Sequence, residues 1–100
     1  MQIDDNVFWE ADSLEDRSEI FDYLYDANPV AADKTDEIIE SAGDLLGSNP
    51  GMGVRKNGFP GFCLILTDVP FNLYYDFDGK VVRILRVIHQ KRHFPKVRLP

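Results

Sequence analysis

The chain has 100 residues, of which 44% are apolar and 28% charged, and its formal net charge is −6. That length suits one domain with a single modest core, so residues 1–100 are read as one unit. No run of about 18 apolar residues exists, which excludes a helical membrane span. The start, MQIDDNVFWEAD, has neither the basic region nor the long apolar core of a secretion signal, so a cytoplasmic protein is expected.

The charge is divided along the chain. Residues 1–50 hold 14 acids against Arg17 and Lys34, a net of −12; residues 51–100 hold Asp68, Asp76 and Asp78 against nine bases, a net of +6. Such asymmetry fits a basic working surface on an acidic body, and it also fits plain solvated faces of helices and strands.

Val7-Phe8-Trp9 reads as a first strand. Asp12 or Ser13 can cap the helix that follows, and Ser13 with Asp16 has capping-box spacing. Leu14, Arg17, Ile20, Phe21 and Leu24 keep a helical stripe, with Glu15, Asp16, Glu19 and Asp22 on the other side. The helix should end near Ala27. Asn28-Pro29 starts a second one, since asparagine caps well and proline suits the first helical position. Ala31, Thr35, Ile38, Ile39, Ala42, Leu45 and Leu46 then give the clearest helical period in the chain, with Gly47 as its stop.

Ser48 to Gly53 reads as a loop and Val54 to Gly61 as irregular chain, punctuated by Gly58 and Pro60. Phe62 to Thr67 is a wholly apolar strand, expected in a central position covered on both faces. After the corner at Val69-Pro70 come two strands around an Asp78-Gly79 turn: the aromatic run Phe71 to Phe77, then Val81 to Ile88. The expected fold is α+β, in the order β-α-α-β-β-β, an antiparallel sheet covered by a two-helix hairpin. The first strand joins it beside the last strand or at an edge.

Cys63 is the one cysteine, set among Phe62, Leu64, Ile65 and Leu66, so it reads as a buried structural thiol rather than a nucleophile. No metal site is expected, because His89 and His93 lie four apart with no nearby acid. No phosphate-cradling loop is expected either, because no helix follows Gly51-Met52-Gly53. No cofactor is implied. Lys91, Arg92, Lys96 and Arg98 could contact phosphates and Phe94 could stack on a base, though such a basic tail is unspecific.

Several marks, taken in order, resemble the RelE/ParE superfamily of bacterial type II toxins over roughly Val7 to Pro95. They are Phe8-Trp9 before an acidic helix, Asn28-Pro29 followed by Ala31-Ala32, Pro60-Gly61 entering a strand, and Tyr74-Tyr75. The most specific is the ending Arg86-Val87-Ile88-His89-Gln90-Lys91-Arg92-His93-Phe94-Pro95, which looks nearer the ParE-like branch. The resemblance implies a growth-inhibiting toxin made with a cognate antitoxin that blocks it. ParE-like members poison DNA gyrase, and RelE-like members cut messenger RNA on the ribosome.

Cleavage through a 2′-hydroxyl needs a base, phosphate-holding cations and an acid. Two positions where RelE-like toxins carry arginines are Cys63 and Asn72 here, and only Arg92 matches a phosphate-binding arginine. The first reading is therefore a ParE-like toxin acting by protein contact, with DNA gyrase as target. Its antitoxin would be an acidic or amphipathic segment in a groove between the helical pair and the sheet, meeting Arg83, Arg86, Lys91 and Arg92. The alternatives are a ribosome-dependent messenger-RNA interferase using His89, Lys91 and Arg92, or an inactive relative kept as a binding module. His89 has the pKa range for acid–base work, against a structural role closing the corner of the sheet. Arg83 and Arg86, three apart, should point to opposite faces of their strand. Arg86 should pair with Glu19 or Asp22. Of Tyr74 and Tyr75, one should be core and the other exposed.

Overall fold

The structure, a computed structural model, describes residues 6–92, so His93, Phe94, Lys96 and Arg98 lie outside the described residues. Five strands and two helices follow in the order β1 (Val7–Trp9), α1 (Ala11–Ala27), α2 (Pro29–Ser48), β2 (Val54–Lys56), β3 (Phe59–Ile65), β4 (Phe71–Phe77) and β5 (Val82–His89), with a 3-10 turn at Pro50–Met52. They build one sheet in the order β1-β5-β4-β3-β2. No helix among the described residues is long and apolar enough to cross a membrane.

The α+β class and the antiparallel run β3-β4-β5 match expectation, and β1 lies beside β5 at an edge of the sheet, as expected. The sheet is mixed rather than wholly antiparallel, since β1 runs parallel to β5. Short turns force antiparallel neighbours, but the long path through both helices and three strands sets no such rule for β1 and β5. β2 is an added strand where irregular chain was expected. A two-residue turn at Asn57-Gly58, with Gly58 at φ +82°, folds its exposed residues back on β3. β3 itself starts at Phe59 and stops at Ile65, which is 51% exposed, so only its middle is covered on both faces.

The main core lies between helices and sheet. Ile39, Ala42 and Leu46 of α2, with Ile20 of α1, pack on Leu64, Leu73, Tyr75, Val82, Ile84 and Val87. Alternation along the strands sends Phe59, Cys63, Tyr74 and Ile88 to the opposite face, where they form a second cluster with Leu85. Both tyrosines are consequently buried, which corrects the expectation that one would be exposed. Tyr75 closes the α2 exit: its hydroxyl donates to the Pro50 carbonyl and accepts from the Gly53 amide.

Local signals set the helix ends only in part. Asn28 does cap α2, its side chain accepting from the Val30 and Ala31 amides, a contribution of about 1 kcal/mol. α1 starts at Ala11, ahead of the expected cap, because the Glu10 amide is fixed to the Ile84 carbonyl at the strand–helix junction. Ser13 is then buried inside the first turn, and its hydroxyl donates to the Glu10 carbonyl. Leu14 is 49% exposed and drops out of the core stripe. Gly47 does not stop α2, which runs on to Ser48 until Pro50 prevents another turn. Arg17 ties the helices together by a two-pronged bond to Asp36, both distances 2.9 Å, while its guanidinium lies over the Trp9 ring.

The two buried faces of the sheet together have a pH signature. Burial pushes the Cys63 thiol above its ordinary 9.0 and the Tyr74 and Tyr75 hydroxyls above their ordinary 10.0. A group with a raised folded-state pKa gives stability that is complete below its unfolded value and is lost as pH climbs through the folded one. Urea midpoints should therefore hold through neutral pH and fall above pH 9.0, the unfolded thiol's range. Cys63→Ala should delay that fall toward 10.0, where the tyrosines begin. An unchanged onset in that variant would contradict the assignment.

Candidate partner-binding groove

β5 is eight residues long, yet β1 pairs only with Val82, Arg83 and Ile84. Past Ile84 the outer edge of β5 has no neighbouring strand among the described residues. Just there the pairing slips: Tyr75 faces Ile84 but Tyr74 faces Arg86, leaving Leu85 as an extra residue in a bulge. That extra residue restores parity. Arg83 pairs with Asp76 and Arg86 with Tyr74, two residues apart on β4, so both arginines start from the same face. The expectation of opposite faces fails because it assumed an unbroken strand.

The two arginines nevertheless do different things. Arg83 stays at the start of β5, 3.4 Å from Glu10 and 3.7 Å from Asp76. Arg86 turns to α1 and meets the Asp16 carboxylate through Nε at 2.7 Å and Nη2 at 3.0 Å. The same carboxylate accepts the Val87 amide at 2.9 Å. Asp16 thus covers the open edge of β5, which would otherwise offer an unpaired donor. The bond to Asp16 raises the Arg86 pKa against the cost of burial, helped by the charges of Asp16, Asp12 and Glu19. Neither Glu19 nor Asp22 is its bonded partner, and Asp16 does not serve a capping box.

Beyond this clamp a groove of about 720 Å³ runs between α1 and the last half of β5. One wall is Asp16, Glu19, Ile20, Tyr23 and Leu24; the other is Arg86 to His89, with Phe71 beside them. Lys91 and Arg92 stand at its end. Of the four cations expected to bind a partner, Arg86, Lys91 and Arg92 come together here and Arg83 does not. Arg86 is already engaged. Lys91 and Arg92 are exposed and form no ion pair among the described residues. The acidic wall was missed from sequence, although Asp16, Glu19, Ile20 and Tyr23 at spacings of three, four and seven mark one helix face.

His89 is part of the scaffold at that end. Its ring meets Phe71 edge-on at 5.2 Å, its Nδ1 accepts the Lys91 amide at 3.0 Å, and its carbonyl accepts the Arg92 amide. Nδ1 is thereby engaged by the backbone of the turn that follows the strand. Gln90 locks the same corner, donating from its amide to Pro70 and from its side chain to Leu66. Cys63 and Asn72, the positions where a nuclease would carry arginines, are buried at 0% and 5% exposure on the face away from the helices.

A family model described as the ParE toxin of the type II toxin-antitoxin system parDE matches residues 7–94. The chain belongs to the ParE toxin family. Among solved structures it is similar to one described as the chromosomal ParDE TA system from P. aeruginosa. The TM-score is 0.75 and the identity 26%, over 84% of this chain and 94% of that one. No curated protein sequence matches. ParE family membership makes the chain a type II toxin and implies an antitoxin partner. In this ParE-family toxin the groove sets an acidic α1 against a basic strand end.

Proposed function

We propose that this ParE-family toxin arrests growth by binding DNA gyrase, and that its antitoxin silences it by filling the groove between α1 and the end of β5. The observation that supports a binder over a nuclease is the state of the basic end. His89 is committed to the backbone of its own turn, while Lys91 and Arg92 project unpaired at the rim of an apolar-floored groove. Such an end suits recognition of a protein surface by exposed cations around an apolar floor. Among the described residues it offers two exposed cations and a histidine whose Nδ1 is engaged by its own turn, which supports binding over cleavage of RNA.

Inducible expression of the chain without the neighbouring reading frame tests this. The expected result is arrested, filamentous cells with damaged DNA and intact messages, relieved when a small protein encoded alongside is co-expressed. Rapid loss of translation with cut messages would overturn the gyrase target. Normal growth would overturn the toxin activity itself.

A further inference from the structure

The two helices are held to the rest of the fold by different means. α2 buries Ala32, Ile39, Ala42, Gly43 and Leu46, whereas α1, 17 residues long, buries only Ser13. Its share of the main core is Ile20, which is half-buried. The ties of α1 are largely polar. Asp16 holds Arg86 and the Val87 amide of β5, and Arg17 holds Asp36 of α2 while lying over Trp9. An element with so few buried apolar contacts opens at a lower free energy than the sheet behind it.

Charge works against the closed position. Residues 11–48 carry 11 carboxylates against Arg17 and Lys34. All 11 are exposed except Asp16 and Asp36, the two that the arginines bond. The Asp36 bond above all raises the Arg17 pKa against the cost of burial, and the charges of Glu40 and Asp44 add to it. Arg17 thus stands between two helices of like charge.

We propose that α1 is a charge-controlled cover over the β5 edge: it opens as a unit while α2 and the sheet hold, and rising ionic strength closes it. Salt acts unequally on the forces involved. Repulsion between exposed carboxylates crosses water and fades as the Debye length shrinks, from about 30 Å at 0.01 M to about 3 Å at 1 M. The bonds of Asp16 and Arg17, whose side chains are 12% and 14% exposed, are screened much less. A helix held by exposed ion pairs would respond in the opposite sense. Opening uncovers the Val87 amide and the edge of β5 past Ile84, so the charge around the helices sets access to that edge.

Hydrogen exchange followed by mass spectrometry on the whole chain tests this, in about 0.02 M and about 0.5 M sodium chloride at one pH. At low salt, α1 peptides should exchange faster than β4 peptides. At high salt they should slow by at least about threefold, with β4 unchanged. Combining Glu15→Gln, Asp22→Asn and Asp26→Asn, all at exposed positions outside both bonds, should remove at least about half of that salt response. Exchange in α1 no faster than in β4 would show that the helix does not open on its own. Exchange that quickens with salt, or an undiminished salt response in the triple variant, would overturn the charge control.

Discussion

Asp16→Ala should cost about 2–4 kcal/mol of folding stability, the largest effect expected of any surface-reaching charge in this protein. The substitution removes three bonds at once, two from Arg86 and one from the Val87 amide. The Asp16 side chain is only 12% exposed, so these bonds are poorly screened; Arg86 at 31% can partly rehydrate, which keeps the cost below that of a fully buried pair. Arg86→Ala should cost less, because Asp16 then still holds the Val87 amide. Asp16→Asn should fall between, keeping an acceptor for that amide. A double-mutant cycle on Asp16 and Arg86 by urea unfolding should give a coupling of about 1–2 kcal/mol. Hydrogen exchange at Val87 should quicken in Asp16→Ala. A loss within about 0.5 kcal/mol, the usual range of surface changes, would show that the clamp is incidental.

Gly61→Ala should destabilise by about 2–3 kcal/mol, lowering the melting temperature by roughly 10–20 °C. A Cβ at Gly61 would overlap the carbonyl oxygen of Tyr75 and the ring of Phe59. The carbonyl belongs to the backbone of β4 and cannot turn aside. The Phe59 ring is held edge-on by Tyr74 at 5.2 Å in the second cluster. Either β3 moves away from β4 or Phe59 leaves its place, and both open the buried face that contains Cys63. Gly51→Ala makes the control, because nothing lies near a Cβ there. Thermal unfolding of the pair should separate them clearly; equal melting temperatures would contradict the close packing of β3 on β4.

Much of the fold is legible in the sequence because its signals are local. Asn28-Pro29 fixes the helix break, the Ala31 to Leu46 period fixes α2, and Asp78-Gly79 fixes the last turn, with Gly79 at φ +98° and the Asp78 side chain accepting from Lys80 and Val81. β2 was missed although Asn57-Gly58 is a strong hairpin signal, because the three residues before it are exposed and lack a strand period. The bulge at Leu85 was not legible. It depends on how β4 and β5 meet, and it alone reverses the parity on which the placing of Arg83 and Arg86 depended. The same holds for Asp16, whose partners lie 70 and 71 residues away. Its position near the start of a helix invited a capping role that the tertiary contact overrode. Of the site itself, the basic end from His89 to Arg92 was visible as composition. The acidic wall facing it was visible only as one face of a helix already explained by solvent.

The activity proposed for this ParE-family toxin is contact with gyrase rather than cleavage of RNA. The most direct measurement is a supercoiling assay with purified gyrase, ATP and relaxed plasmid, titrated with the purified toxin. The expected result is loss of supercoiling and accumulation of broken plasmid, both reversed by the antitoxin, with added messenger RNA left whole beside ribosomes. Unimpaired supercoiling together with cut messages would contradict it.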